Sequence, residues 1–267
     1  MPTPDTIVLV HGLWMTPKSW EKWIERYESR GYKVTAPAWP GAEGDPEALR
    51  RDPSSLAGLD AESVLAHYEK IIRELDSPPI VMGHSFGGAF AQILNDRGLG
   101  AATVSIDGAT VRGIPDLPVS TLRSSLHVLA NPLNFNKAVP FSEKHFRYAF
   151  GNTLTAEQSR EAWERYAIPA VAKVLFQGAM ANLHPRTPFK VDWAKDDRAP
   201  LLFIGGGEDH VIPAKVSRKI AAKYSKSSAV TEYKEYPRRS HFTAGEPGWE
   251  EVADYALSWA ADHARVA

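Results

Sequence analysis

Three residues far apart in the chain form a set that could carry nucleophilic catalysis: Ser85, Asp209 and His241. Ser85 is the centre of Gly83-His84-Ser85-Phe86-Gly87, a Gly-x-Ser-x-Gly sequence. A serine hydroxyl attacks poorly at neutral pH. It needs a base within hydrogen-bond reach, and the base needs a group that fixes its orientation. His241 is the histidine that follows the last expected strand, so it is read as the base. Asp209, in Gly205-Gly206-Gly207-Glu208-Asp209-His210, is read as the orienting acid. Glu208 is the near alternative and Asp107 the more distant one. The glycine triplet lacks the Lys-Ser/Thr of a phosphate-binding loop.

Acyl transfer also needs donors for the oxyanion that forms. The backbone N–H of Phe86, just after the serine, is one candidate. The N–H of Leu13, after His11-Gly12, is the other. Trp14 would then flank the substrate pocket. Arg238 and Arg239, close to His241, read as two solvated charges, with steering of an anionic substrate as the alternative.

The elements that must hold these residues follow from the hydropathy pattern. Ile7–Val10 is a short β-branched run of the kind found in strands buried on both faces. Thr16-Pro17 opens a helix carrying Trp20, Trp23, Ile24 and Tyr27, which Gly31 ends. Residues 33–37 read as a strand and 38–58, rich in Gly, Pro and charge, as a loop. A helix is expected over 59–75, a strand over 80–82, and a helix from Phe86 to Asn95. A strand over 101–106 follows. Residues 112–195 show helical patterns and no convincing strand. Thr155-Ala-Glu-Gln158 signals a helix start there, and Pro169 should kink or divide that helix. Strand character returns over 201–204 and 230–236, with helices over 213–224 and 249–263. This alternation predicts an α/β fold with a mostly parallel sheet of about six strands flanked by helices. Residues 1–111 and 196–267 would form the core, and 112–195 a helical cap inserted in it. Ligands of such sheets bind at the carboxyl ends of the strands, and each of the three residues follows a strand. The serine is expected on a sharp strand-to-helix turn, its hydroxyl projecting into solvent.

Composition narrows the function classes. The 267 residues carry 31 basic and 32 acidic side chains, a formal charge of −1, and no basic excess of the kind nucleic-acid binding needs. The chain has no cysteine, which excludes a thiol nucleophile, a disulfide framework and a cysteine metal site. Asp209-His210 offers too few ligands for a metal centre, so no metal is expected. No stretch approaches the ~20 apolar residues of a membrane span, and the N-terminal residues do not read as a signal peptide. A cytoplasmic location fits these features, with a small molecule as the partner.

The sequence resembles the α/β-hydrolase superfamily in Val8-Leu9-Val10-His11-Gly12, Gly83-His84-Ser85-Phe86-Gly87-Gly88, Gly207-Glu208-Asp209-His210-Val211-Ile212-Pro213 and Ser240-His241-Phe242. The order Ser…Asp…His is also that of the superfamily. The resemblance covers the chain except the insertion. It implies a cofactor-free hydrolase of esters, lactones, amides or related bonds, with a helical cap. Two features depart from the pattern: the chain enters its first strand almost at once, so the family's first hairpin is not expected, and Leu13 stands where many lipases have glycine. The serine nucleophile separates the chain from the dehalogenase and epoxide-hydrolase branches. The resulting expectation is a serine hydrolase of a small or medium, largely apolar carboxylic ester or lactone. Trp163 and Phe176 of the cap are expected to line its pocket. A perhydrolase, haloperoxidase or carbon-carbon hydrolase would use the same triad. A ligand-binding protein that keeps the fold without turnover is the reading of another class.

Overall fold

The computed structural model describes residues 4–265. Met1 to Thr3, part of the segment read as lacking a signal peptide, lie outside the described residues. The first third of the chain runs through β1 (Thr6–Val10), α1 (Glu21–Glu28), β2 (Lys33–Thr35), α2 (Pro46–Arg51) and α3 (Ala61–Arg73). Next come β3 (Ile80–His84), α4 (Phe86–Asp96) and β4 (Ala102–Ile106). The segment after β4 holds α5 (Val119–Leu129), β5 (Ala138–Val139), α6 (Glu143–Ala149), α7 (Ala156–Tyr166), β6 (Ala170–Val171) and α8 (Ala172–Ala179). The chain then completes β7 (Leu201–Gly206), α9 (Ala214–Lys223), β8 (Thr231–Tyr236) and α10 (Trp249–His263).

Six strands form one sheet in the order β2-β1-β3-β4-β7-β8, and every neighbouring pair is parallel. Strands β1, β3, β4 and β7 are buried almost throughout, as strands covered on both faces must be. One apolar layer includes Val8, Val10, Val81, Phe90, Leu201 and Phe203. The other includes Ile7, Leu9, Met82, Ile106, Ile204 and the Trp20–Trp23 pair. The alternation of side chains along each strand produces this division. The chain goes from β1 outward to β2 and then crosses to β3 on the other side. The switch point of the sheet therefore lies between the ends of β1 and β3, where open α/β sheets place ligands.

Two local expectations change. Residues 38–58 are not all loop, because Asp45 caps α2 by accepting from Glu47 N–H, with Pro46 in the first turn. The insertion contains an antiparallel ribbon, β5 with β6. Pro169 does divide the expected helix: α7 stops at Tyr166 and α8 starts at Ala172.

The segment between β4 and β7 is fastened to the core at several points. Arg50 of α2 donates to the carbonyls of Ala167 (2.6 Å) and Glu164 (2.9 Å), which capping of the α7 C-terminus leaves open. Its guanidinium also lies 4.9 Å from the Trp163 ring centre. Arg165 pairs with Glu21 at 2.7 Å, and Ile168 N–H donates to Trp14 O at 2.9 Å.

Candidate active site

Ser85 occupies the turn between β3 and α4 with φ 57° and ψ −123°. A non-glycine residue at positive φ is uncommon and strained. The turn survives because its surroundings fix it. Ser85 N–H donates to Ile106 O, and Ser85 O accepts from Gly88, Ala89 and Ala109. The flanking glycines are required by clearance. A Cβ on Gly83 would stand 2.0 Å from Gly87 O, and one on Gly87 would stand 2.1 Å from Val10 O.

Ser85, His241 and Asp209 come together. Ser85 Oγ and His241 Nε2 are 2.9 Å apart. His241 Nδ1–H donates to Asp209 Oδ2 at 2.6 Å. The other Asp209 oxygen accepts from Val211 N–H at 2.6 Å and Ile212 N–H at 2.8 Å. The carboxylate is thus oriented by backbone on one side and by the imidazole on the other. Glu208, the near alternative, is exposed. The expectation that the serine hydroxyl faces solvent changes: Ser85 is 1% exposed and His241 fully buried. Phe150, from the segment after β4, lies edge-on to His241 with ring centres 4.7 Å apart.

Phe86 follows Ser85 directly, and the loop that carries Leu13 reaches Ser85 through Gly12. Phe86 is the first residue of α4, so its N–H is among those that a helix leaves without an internal partner. Gly12 packs against the nucleophile so closely that an added Cβ would stand 2.9 Å from Ser85 Cβ. This brings the following residue, Leu13, beside the site. The His11–Trp14 loop is pinned. Trp39 N–H donates to His11 Nε2 at 3.0 Å, so the ring proton is on Nδ1, which donates to Gly12 O at 2.9 Å. Burial pushes the His11 pKa down to about 4, so the neutral tautomer that this pattern requires is the stable one.

His84, in the motif itself, has a role that the motif did not suggest. Burial pushes its pKa down to about 3. The neutral ring must then carry its proton on Nε2, which donates to His241 O at 2.7 Å. His84 therefore holds the backbone of the candidate base. Glu246 braces the same loop: it accepts from Ser240 N–H and Ser240 Oγ–H, each at 3.0 Å, and from Thr153 Oγ1–H at 2.6 Å. Arg239 donates to Pro247 O and Gly248 O and lies 3.8 Å from Glu246. It is thus part of the loop's framework, not one of two solvated charges. No sequence signal marked Glu246.

Asp107, the distant alternative, is fully buried at φ 45°. One oxygen accepts Gly206 N–H at 2.7 Å, and the other has no partner among the described residues. One ligand atom from each of His84, Asp107 and His241 fit within a 4.8 Å span. Both His241 nitrogens already serve Ser85 and Asp209, so this cluster is unsuited to hold a metal ion. Burial, reinforced by nearby Asp209, raises the Asp107 pKa well above 3.8. The folded form keeps a proton that the unfolded form has lost, so stability falls as pH rises between 3.8 and the higher folded value. Asparagine tolerates positive φ and keeps the acceptor for Gly206. Asp107→Asn is therefore expected to gain thermal stability relative to the parent as pH rises from 5 to 9. Melting curves across that range check it, and parallel curves would refute it.

An apolar crevice of about 80 Å3 touches both Trp14 and Phe86. Its walls include Leu122 and Leu129 of α5, Leu175 and Ala179 of α8, and Ile212. Trp163 and Phe176 do not line it. Trp163 donates to Phe141 O, and Phe176 faces Phe135 in a separate surface groove.

A six-stranded parallel sheet, a strained serine at a strand-helix turn and a Ser–His–Asp chain of contacts define the α/β-hydrolase class of fold. The family model described as "Alpha/beta hydrolase family" matches residues 7–255, and the chain belongs to that family. Among solved structures, it is similar to a monoacylglycerol lipase from Paleococcus ferrophilus at 18% identity, covering 99% of this chain and 96% of that one, with a TM-score of 0.66. An extracellular alpha/beta-hydrolase from a Paenibacillus species is 20% identical over 98% and 100% of the two chains, with a TM-score of 0.68. A pyrethroid hydrolase from Sphingobium faniae JZ-2 is 20% identical over 97% of each chain, with a TM-score of 0.63. At these identities the likeness is one of fold. No curated protein matches the chain. Among the described residues, no helix is long and apolar enough to cross a membrane.

Proposed function

We propose that this protein is a serine hydrolase of small, largely apolar carboxylic esters. The observation that carries the reading is the continuous contact from Ser85 Oγ to His241 Nε2 and from His241 Nδ1 to Asp209 Oδ2. Ser85 attacks the ester carbonyl as His241 takes its proton. Asp209 holds His241 in the tautomer whose Nε2 is free to accept, and stabilises the resulting cation. The N–H groups of Leu13 and Phe86 receive the oxyanion. His241 then protonates the leaving alcohol, and water activated by His241 releases the acid from Ser85. Residues 112–195 act as a cap, which fits the burial of the nucleophile and the position of Phe150 against His241. The fold neighbours named as a lipase and a pyrethroid hydrolase are in keeping with this chemistry.

The crevice beside Phe86 suggests the size of the substrate. Its ~80 Å3 is well below the roughly 300 Å3 at which ordinary small-molecule pockets begin. It suits a short acyl chain, with p-nitrophenyl acetate and butyrate turned over faster than the octanoate. The test is fluorophosphonate labelling with peptide mapping, alongside hydrolysis of this ester series. Label on Ser85 with turnover supports the reading, and a folded protein that takes no label at Ser85 overturns it. Leu129 is half-buried on one wall. Leu129→Ala is therefore expected to raise the octanoate-to-acetate ratio of kcat/KM by about tenfold, because each accommodated methylene is worth about 1–3 kcal/mol. An unchanged ratio would place the acyl chain elsewhere.

A further inference from the structure

Among the described residues, the large exposed apolar side chains lie mostly in one region, Val230, just before β8, being apart from it. Val119, Leu122 and Leu126 recur at helical spacing along α5, and all three are exposed. The turn after α5 adds Leu133 and Phe135, and the turn after α8 adds Met180 and Leu183. These groups adjoin. Phe135, Met180 and Arg186 line one groove. Asn182, beside Leu183, exchanges hydrogen bonds with Gly113 N–H and Ile114 O at the approach to α5. Contiguous apolar surface of this kind marks an interaction site.

Charge decides what it fits. Residues 117–142 and 165–191 contain no Asp or Glu. Arg123, Lys137 and Arg186 are exposed among the apolar groups. The whole segment 112–195 has eleven Lys and Arg against six Asp and Glu, in a chain of formal charge −1. The acids at its rim are few: Asp116 is 2.7 Å from Lys219, and Glu62 stands at the edge of the groove. A two-fold pairing of this face with itself would oppose like charges. A surface that is apolar in the middle and negative at its headgroups suits both features.

We infer that this face docks on an anionic lipid surface, with α5 and the turns after α5 and α8 in contact. Leu122 belongs both to the face and to the crevice wall. Under the proposed hydrolase reading, an ester dissolved in the lipid therefore enters the site without crossing water. The docking itself does not depend on that reading.

The test is co-sedimentation with phosphatidylcholine vesicles, with and without phosphatidylglycerol. The parent protein is expected to bind the anionic vesicles more tightly, and less so at high salt. The variant V119S/L133S/L183S changes side chains that are 83%, 75% and 72% exposed and lie outside the crevice. It is expected to lose at least about tenfold in vesicle affinity, given the apolar area it withdraws from lipid. Its melting temperature and its hydrolysis of dissolved p-nitrophenyl acetate stay unchanged. K137Q/R186Q should remove most of the preference for anionic vesicles. Ser85→Ala should bind as the parent does, which separates docking from chemistry. Absence of binding to either vesicle, or binding that neither surface variant alters, would overturn the inference. So would a dimer in solution that V119S/L133S/L183S dissociates, since a second copy would then cover the face.

Discussion

Ser85→Ala is expected to lower kcat for a p-nitrophenyl ester by about 10^6-fold and to abolish fluorophosphonate labelling, the scale seen when a triad serine is removed. The substitution deletes one atom. The surrounding turn is set by backbone contacts to Ile106, Gly88, Ala89 and Ala109, so the variant should fold. Ester binding should persist, because the crevice walls are untouched, and KM should move much less than kcat. His241→Ala should match it, and the double variant should be no worse than either alone, since the two groups act as a unit. Steady-state rates for the three variants check this. A Ser85→Ala protein with rates within tenfold of the parent would remove the basis of the proposed mechanism.

Asp209→Asn is expected to cost about 10^4-fold in kcat, the effect of putting a triad histidine in the wrong tautomer. The geometry shows why the loss should be chemical and not structural. One carboxylate oxygen accepts Val211 and Ile212 N–H, so the asparagine carbonyl must take that place. Its NH2 then faces His241 Nδ1, which can only accept. The imidazole proton moves to Nε2 and points at Ser85 Oγ, where a base was needed. Rates together with an unchanged melting temperature check this. A loss below tenfold would mean that His241 is oriented by another group. Asp107, whose second oxygen is free among the described residues, would then be the candidate, and a D107N/D209N double variant would reveal it.

The three candidate residues were legible because each follows a strand; β3 and β7 announce themselves as short apolar runs, and β8 as an alternating edge strand. The residues that position them were not. His11, His84, Glu246 and Asp107 are each defined by at least one partner 6 to 157 positions away, and nothing in their local pattern marks those partners. Helix α2 was hidden by composition. The Gly, Pro and charge of residues 38–58 argue for loop, although Asp45-Pro46 is a good helix start. The ribbon of β5 and β6 has two residues per strand, too few to show a period. The apolar residues of residues 112–195 were visible, but which of them face a site depends on how α5 and α8 lie together. That is why sequence pattern points to Trp163 and Phe176, while the crevice beside Phe86 is walled by Leu122 and Leu129.

The bond from Ile168 N–H to Trp14 O joins the segment between β4 and β7 to the loop that carries Leu13. A roof fixed only at its edges could be exchanged or displaced while the chemistry beneath stayed as it was. In the proposed reading, residues 112–195 form the roof, and this bond makes it hold part of the floor. Any displacement that pulls Ile168 away removes one restraint on the stretch whose amide is assigned to the oxyanion, leaving it to the His11 contacts. If the proposed roles hold, selectivity and turnover share a mechanical part, and changes to the segment made for one are expected to be felt in the other.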